Sequence, residues 1–239
     1  MEQLWFPTTT LLFDEEAMNR LFPLILLIII TAIAATSCGN DSEGFQYGDF
    51  RYDMVTYMGN DHGRAVFSLL QREDADEMAL ITADSCKLDM KRGQRLLLNY
   101  VPEGTASAGQ LTITPRSYTK AITDSLRYTA HENVEDIIMD SIRMKSIWRT
   151  GNYINLSSEL KYTAESRQIS LVMDKDTWHA DTVHCYLMHN MMNQQAYFWR
   201  KCYCSFYIGA VWKLSSCHTV RIHVNDVIYT GRDYYDFSK

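Results

Sequence analysis

Proline and glycine are scarce in this chain, which contains four Pro and 11 Gly among 239 residues. That scarcity excludes a collagen-like or low-complexity polypeptide. Hydrophobic residues make up 46% and charged residues 22%, a balance that also excludes an intrinsically disordered chain and a long coiled coil. A chain of this length can bury a substantial core, so one or two globular domains are expected.

An excess of positive charge is also missing. The chain has 23 Lys and Arg against 29 Asp and Glu, a formal net charge of -6. Residues 1–44 hold six acidic residues and one basic residue, so the rest of the chain is close to neutral. Without a basic surface field, non-specific nucleic-acid binding is not expected, and we predict no nucleic-acid partner.

Long apolar runs are absent except near the N-terminus, where residues 21–35 read LFPLILLIIITAIAA. A membrane-spanning helix needs roughly 20 apolar residues, so this run has the size of the apolar core of a secretory signal. Residues 1–17 carry acidic residues where a signal needs positive charge. We therefore predict that residues 1–17 are a mis-annotated leader, that translation starts at Met18, and that residues 18–37 are the signal peptide.

A cysteine closes this signal. Ala35, Thr36 and Ser37 are small residues directly before Cys38, and a polar stretch follows. The arrangement resembles a bacterial lipoprotein signal, in which the cysteine thiol receives a diacylglyceryl group and becomes the acylated N-terminus. We predict lipidation at Cys38, a tether over residues 38–44, and a lipid-anchored protein of the outer membrane or cell surface. A cleaved secreted protein and an uncleaved signal anchor are the alternatives.

The rest of the chain alternates apolar and polar residues with a period of two. Five or six short strands in residues 45–128 favour a small barrel such as an OB-fold, because closure hides strand edges. A polar linker is predicted at 129–139. About six further strands in 140–239 are typical of an immunoglobulin-like β-sandwich. The sequence therefore predicts an all-β protein, an OB-like barrel followed by a β-sandwich.

Short motifs follow one another in an order that is similar to a known family. They are Tyr47 to Phe50 (YGDF), Gly93 to Arg95 (GQR), Asn99-Tyr100, Asp140 to Ile142 (DSI), Trp148, Gly151 to Asn155 (GNYIN) and His189-Asn190. This order resembles the NigD-like lipoproteins of Bacteroidetes over residues 38–239. The resemblance implies an OB domain before a β-sandwich, and an immunity role inferred from a bacteriocin gene cluster.

Motifs of catalysis are missing as well. The sequence contains no G-x-S-x-G elbow, H-E-x-x-H helix, phosphate-binding Gly loop or C-x-x-C pair. We predict a non-catalytic envelope protein without a cofactor that binds a protein or glycan ligand, with an immunity-like role implied by the resemblance. A surface glycan-binding accessory lipoprotein is the alternative, and an enzyme whose site assembles only in the fold is the third interpretation.

Five cysteines follow Cys38, and their odd number argues against a complete disulfide framework. They are Cys86, Cys185, Cys202, Cys204 and Cys217. Cys202 and Cys204 share the apolar face of one predicted strand, where residues two apart lie too far apart to bond easily. We expect buried free thiols, and an oxidised pair of Cys185 with a C-terminal partner is the alternative.

No metal site is predicted. The C-x-C spacing of residues 202–204, taken with Cys217, His218 and His223, differs from the C-x2-C knuckle typical of structural zinc. The acidic residues in 174–181 lack the central Gly and the bidentate Glu of a calcium loop. We interpret them as a solvated turn.

Exposed aromatic and hydroxyl residues supply the remaining candidate sites. Trp178, Tyr197 and Trp199 are predicted at turns or on a polar strand face, where aromatic rings contact sugars or protein partners. The alternative is that they cover core edges or a seam between domains. A further set of Asp-Ser/Thr-aliphatic motifs matches the O-glycosylation acceptors of Bacteroides-like bacteria, with acceptors Ser125, Ser141 and Thr182. Their alternative interpretation is an ordinary Asp turn before a strand.

Lipidation at Cys38 can be tested by removing its thiol. The substitution Cys38→Ser removes the predicted acyl acceptor, so metabolic labelling with a tagged fatty acid should give no labelled protein. Each buried methylene contributes about 0.8 kcal/mol to membrane binding. The unsubstituted protein should therefore enter the detergent phase on partitioning, and Cys202→Ser should do the same. Equal label in wild type and Cys38→Ser would contradict lipidation at this residue.

Overall fold

The computed structural model describes residues 50–70, 76–162, 167–229 and 231–239. The predicted leader, signal, tether and lipidation site Cys38 lie outside the described residues. The described residues belong to one compact unit. Within these ranges, no helix combines the length and the hydropathy required to cross a membrane.

The first five strands form a closed barrel. In chain order they are β1 (Arg51–Asp61), β2 (Arg64–Leu69), β3 (Met78–Thr82), β4 (Arg95–Ser107) and β5 (Gln110–Lys120). Their order around the barrel is β1-β2-β3-β5-β4, and pairing of β1 with β4 closes it. Only the β3–β5 pair among these neighbours is parallel. This closed five-stranded barrel confirms the predicted barrel domain.

Alternation along the barrel strands explains the barrel core, because successive side chains point to opposite faces. The inward side chains form one cluster that includes Val55, Phe67, Leu80, Leu96, Leu98, Leu111 and Ile113. A bulge between Tyr57 and Gly59 shifts the β1–β2 register, and Gly59 adopts a φ of 107°. That conformation favours glycine, and the bulge bends β1 so that it can pair with both β2 and β4.

The remaining strands form a β-sandwich, as predicted. They are β6 (Ile122–Ser125), β7 (Arg127–Thr129), β8 (Ile142–Thr150), β9 (Tyr153–Lys161), β10 (Gln168–Asp174), β11 (Thr182–Asn190), β12 (Trp199–Tyr207), β13 (Thr219–His223) and β14 (Tyr234–Ser238), with a one-turn helix α1 (Gly209–Trp212). One sheet has the order β14-β13-β11-β10-β7 and the other β6-β12-β9-β8. Their inner faces enclose one core, which includes Ile154, Leu156, Leu171, Leu187, Phe206 and Ile222.

The strand pairing differs from the predicted domain limit at residue 128. β6 runs parallel to β12, and β7 runs parallel to β10, so residues 122–129 extend the sandwich sheets. These strands have four and three residues, which is too short to show a clear period in the sequence. The segment 129–139, predicted as a linker, also contacts the sandwich: Met139 bridges to His189.

Arg95 connects the barrel to the sandwich. Its side chain is 1% exposed, although it starts at the first residue of β4. Its Nε donates to Ser205 Oγ at 3.0 Å and its Nη2 donates to Asn155 Oδ1 at 2.9 Å, both in the sandwich. Its Nη1 donates to Thr56 Oγ1 in the barrel at 3.0 Å, and its guanidinium carbon lies 4.5 Å from the ring centre of Tyr153.

The acceptors around Arg95 are themselves hydrogen-bonded. Ser205 Oγ donates to Asn155 Oδ1 at 2.8 Å, and Asn155 Nδ2 donates to Thr150 Oγ1 at 2.9 Å. Neutral oxygens thus surround the guanidinium, and burial lowers the pKa of Arg95 to about 10. The GQR motif therefore meets the GNYIN motif, which contributes Asn155, at the junction of barrel and sandwich.

A second junction joins two other motifs. Asp140 N donates to the His189 carbonyl at 2.8 Å, and His189 Nδ1 lies 3.1 Å from the Asp140 carbonyl oxygen. The Asp140 carboxylate accepts a hydrogen bond from Met191 N at 2.7 Å. Residues about 50 apart in sequence are therefore held together at the entry to β8 and the exit of β11.

The Arg95 junction gives a stability prediction. Arg95→Met keeps most of the side-chain volume but removes the guanidinium hydrogen bonds to Ser205, Asn155 and Thr56, and each such loss is costly. Part of that cost is offset because a guanidinium no longer has to be buried. We expect the free energy of unfolding to fall by about 2 kcal/mol in urea titrations. Arg92→Met, at an exposed arginine three residues earlier, should leave it unchanged within about 0.5 kcal/mol. A fully stable Arg95→Met protein would contradict this role.

Candidate binding surface

The outward face of the four-stranded sheet carries a cluster of positive charge. The side chains that compose it are Arg143, Lys145, Lys161 and Lys201, together with the ring of Trp199, and we call this set the cationic face. Strand register brings them together, because Lys161 pairs with Trp199 and Arg143 pairs with Glu159, which in turn pairs with Lys201. Three strands, β8, β9 and β12, therefore contribute to one surface.

One carboxylate, that of Glu159, lies among these cations. Its Oε2 is 3.6 Å from Arg143 Nη1 and 3.4 Å from Lys145 Nζ. The side chains of Arg143 and Lys145 are 42% and 45% exposed. Partly exposed ion pairs are weak and are screened by water and salt. The face therefore carries four cationic side chains against the one carboxylate of Glu159 among the described residues.

The ring of Trp199 contacts two of these cations. The guanidinium carbon of Arg143 lies 4.3 Å from the centre of the Trp199 ring, and Lys161 Nζ lies 5.7 Å from it. Cation–π contacts of this kind hold long side chains in place without neutralising them. The two cations also cover the ring of Trp199, so that the ring is not open for stacking on a ligand.

A cleft of about 580 Å³ adjoins the cationic face between the barrel and the sandwich. Among its lining residues are Tyr52, Asp53, Trp148, Ser157, Lys201 and Tyr203. Lys201 belongs to both features, and its Nζ lies 5.1 Å from the centre of the Tyr203 ring. On the barrel side, Tyr100 donates a hydrogen bond to Asp53 at 2.8 Å, and burial together with this bond raises the pKa of Tyr100.

The predicted aromatic contacts occupy different environments. Trp178 is half-buried and packs against the sandwich core, and the planes of its ring and the His179 ring are inclined at 63°. Tyr197 is 61% exposed, and its backbone N–H donates to the Tyr162 carbonyl just before β12. Trp199 lies on the cationic face. Tyr197 and Trp199 are thus neighbours at one end of β12, and contact of all three aromatics with a ligand stays a prediction.

The grouping of the four cations on one face was not predicted from the sequence. Residues 129–239 hold twelve basic and twelve acidic residues, so the net charge of the region gave no signal. The residues are spread over three strands, and only sheet register brings them together. A weak signal did exist in β12, where Trp199 and Lys201 are two residues apart and therefore face the same way.

The remaining candidate residues are also placed by the structure. Ser125 is exposed at the end of β6, whereas Ser141 and Thr182 are half-buried, and their glycosylation stays a prediction. All five described cysteines are free thiols. Across the described ranges, no group of three or more His, Cys, Asp or Glu side chains is arranged to hold a metal ion.

A histidine cluster lies on the outward face of the five-stranded sheet. His184 Nδ1 is 3.0 Å from His223 Nε2, and the Tyr186 ring stacks on His223 with centroids 4.5 Å apart. On the neighbouring strands, Arg221 forms a two-point ion pair with Asp236, with both distances 2.8 Å. Burial lowers the pKa of His223, and the charges of His184 and Arg221 lower it further.

This pKa shift predicts a loss of stability in mild acid. The His223 pKa is below its ordinary value of 6.5 in the fold, so the unfolded chain binds more protons as the pH falls below 6.5. Burial lowers the pKa of His189 in the same direction. The free energy of unfolding should therefore decrease from about pH 7.5 to about pH 5. His223→Gln should show a smaller decrease, and an equal decrease in both proteins would contradict the assignment to His223.

Known proteins share the architecture of this chain. Residues 125–238 match the NigD-like C-terminal beta sandwich domain. A protein of unknown function DUF1344 from Bacteroides vulgatus ATCC 8482 has a similar fold, with a TM-score of 0.64 and 20% identity over 80% of this chain and 90% of that one. None of the curated proteins resembles the sequence closely enough to count as a match.

Two further crystal structures share the fold. One is a candidate lipoprotein from Bacteroides fragilis NCTC 9343, with a TM-score of 0.56 and 10% identity over 80% of this chain and 96% of that one. The other is a NigD-like immunity protein from Bacteroides caccae ATCC 43185, with a TM-score of 0.52 and 16% identity over 81% of this chain and 94% of that one. None of these comparisons indicates a catalytic family. They confirm the resemblance drawn from the motifs, because residues 125–238 match the NigD-like C-terminal beta sandwich domain.

Proposed function

We propose that this protein is a non-catalytic, lipid-anchored protein of the cell envelope that binds an acidic protein partner and has an immunity-like role. The observation that carries the proposal is the cationic face, with its four basic side chains beside a cleft of about 580 Å³. A pocket of this size can receive a side chain or a short loop of a partner. The face and the cleft share Lys201, so one partner can engage both.

Charge complementarity favours an acidic partner over a neutral one. Opposite potentials raise association rates and reject partners of like charge. Arginine and tryptophan are also enriched among the residues that dominate binding energy at protein interfaces. Arg143 over Trp199 supplies such a pair at 4.3 Å, partly exposed and surrounded by further cations.

The proposed location in the cell envelope is supported by the signal segment. The apolar run 21–35 and the small residues before Cys38 support export and lipidation. One protein of similar fold is described as a candidate lipoprotein. A protein anchored in this way would meet toxins that arrive at the cell surface.

The immunity-like role is supported by the matched domain and by the fold shared with a NigD-like immunity protein. Glycan binding, the alternative from the sequence, depends on aromatic faces that are open to sugars. Cations cover Trp199, and Trp178 packs against the core, which leaves Tyr197 as the exposed ring of the three. The surface therefore favours a charged protein partner.

A killing assay tests this function. A strain that lacks the gene is complemented with wild type or with the double variant Lys145→Glu plus Lys201→Glu, then exposed to bacteriocins from neighbouring producer strains. Loss of the gene should raise sensitivity, and wild type should restore resistance. The double variant should not restore it, because two positive charges of the cationic face become negative and repel an acidic partner.

The matched control is Lys213→Glu, an exposed lysine directly after α1 and outside the cationic face. This variant should protect as well as wild type when immunoblots show equal amounts in the membrane. A deletion strain that is as resistant as its parent would contradict the immunity-like role. Full protection by the double variant would instead contradict the cationic face as the binding surface.

A further inference from the structure

Three consecutive apolar residues are exposed in the loop that follows β13. Val227, Ile228 and Tyr229 are between 39% and 52% exposed. Loops of soluble domains normally carry polar residues, and an uninterrupted exposed apolar run is a sign of an interaction surface. Neither the cationic face nor the cleft beside it includes these three side chains, so the loop has a separate contact to explain.

A buried carboxylate holds this loop in place. Asp226 is buried, and its Oδ1 accepts hydrogen bonds from Met144 N at 3.2 Å and from Ile228 N at 2.9 Å. Its Oδ2 accepts a hydrogen bond from the Tyr235 hydroxyl at 3.0 Å. Hydrogen bonds to a charged acceptor are stronger than those between neutral groups. The loop therefore presents its apolar side chains from a well-held backbone.

The loop is also hydrogen-bonded to the segment 138–142. Val227 N donates to the Ile142 carbonyl at 2.9 Å. Ile138, at the start of that segment, is exposed, and its carbonyl accepts a hydrogen bond from His189 N at 3.1 Å. The segment 138–142 thus lies between the loop and the end of β11, and it adds a fourth exposed apolar residue to this end of the sandwich.

The turn that follows β11 contributes a fifth. Met191 N donates to the Asp140 carboxylate at 2.7 Å, which fixes this turn against the segment 138–142. Met192 is the next residue, and its side chain is exposed. Exposed apolar residues from three separate segments therefore lie at one end of the sandwich. We call this set the apolar tip, and its members are Ile138, Met192, Val227, Ile228 and Tyr229.

Charges of both signs lie next to the apolar tip. Arg232 is exposed, and its backbone N–H donates to the Tyr229 carbonyl at 3.0 Å. Glu135 and Asp136 are exposed and precede Ile138 in the chain. Electrostatic attraction therefore favours neither an acidic nor a basic partner at this end. Burial of apolar surface has to supply the attachment.

The apolar tip lies within reach of the predicted lipid anchor. Tyr52, near the start of β1, lines the same cleft as Ser146 of β8. Ser146 is four residues from Ile142 along β8, a distance of roughly 13 Å. Cys38 is 12 residues before Phe50, the first described residue, and a chain of that length spans at most about 40 Å. A bilayer that holds Cys38 can therefore also contact the apolar tip.

We propose that the apolar tip inserts into the surface of the membrane to which the chain is anchored. The inference rests on the lipid anchor of the proposed function, and it adds a direct contact between the folded part of the chain and the bilayer. Apolar side chains of interfacial segments enter about 5–10 Å into the boundary between headgroups and acyl chains, and Tyr is enriched at that boundary. The cleft lies toward the barrel, so it stays open to a protein partner.

Quenching of tryptophan fluorescence by brominated lipid tests this contact. The full chain carrying Tyr229→Trp is reconstituted into phosphatidylcholine vesicles, with or without bromine on the acyl chains. After the wild-type signal is subtracted, brominated lipid should lower the fluorescence of the introduced tryptophan roughly twofold, because side chains at this depth reach the acyl boundary.

The matched control is Tyr128→Trp. Tyr128 is an exposed tyrosine of β7 that pairs with Met173, whereas the opposite end of β10, at Gln168, pairs with Asn190 beside the apolar tip. The fluorescence of a tryptophan introduced there should be equal in the two kinds of vesicle. Equal quenching of the two introduced tryptophans would overturn the proposal, and so would an absence of quenching at residue 229.

Ile228→Glu, added to the Tyr229→Trp protein, tests whether apolar burial supplies the contact. A charged side chain is costly in the acyl region, so quenching should fall to the level of the control. Residue 228 is exposed, so the substitution should leave the unfolding midpoint in urea unchanged. Quenching that is unaffected by Ile228→Glu would contradict insertion of the apolar tip.

Other occupants of the apolar tip give different results. Self-association in detergent that Ile228→Glu abolishes, without quenching in vesicles, would assign the surface to a second copy of the chain and overturn the proposal. Loss of protection in the killing assay by Ile228→Glu, again without quenching, would assign it to a protein partner and overturn the proposal as well. Failure of the anchor is read separately, from the fatty-acid label on Cys38. An unlabelled chain that still shows quenching at residue 229 would contradict lipidation and support the membrane contact.

Discussion

The buried guanidinium of Arg95 is the contact on which the rest of the architecture depends. It bonds to Ser205 and Asn155 in the sandwich and to Thr56 in the barrel, with every partner a neutral oxygen. Burying a charge is favourable only where its hydrogen bonds are satisfied. Few relative positions of the barrel and the sandwich satisfy the hydrogen bonds of the Arg95 guanidinium. The hydrogen bonds of Arg95 therefore hold the barrel against the outward face of the four-stranded sheet. The cleft beside the cationic face results from this arrangement.

Four of the motifs that carried the family resemblance make structural contacts. The GQR motif and the GNYIN motif meet through Arg95 and Asn155, and Asp140 meets His189 through backbone and carboxylate hydrogen bonds. Their hydrogen bonds satisfy buried polar groups at junctions between distant segments.

The side chains of β12 alternate between a charged surface and the core. Trp199 and Lys201 of β12 point outward to the cationic face, whereas Cys202 and Cys204 point inward to the end of the core. The outward side is wet and charged, and it suits a protein partner that is steered by electrostatics. The inward side is dry, because Cys204 is fully buried in the core.

The sequence by itself determined the all-β class, the order of a barrel before a sandwich, and the inward direction of Cys202 and Cys204. These are local properties, because a period of two along a strand decides which face each side chain occupies. Tertiary structure alone decided that residues 122–129 complete the sandwich, that Arg95 is a junction, and that Arg143 and Lys201 share one surface. Each of these depends on pairing between segments far apart in the chain, and the register of that pairing is fixed by long-range packing rather than by any local pattern.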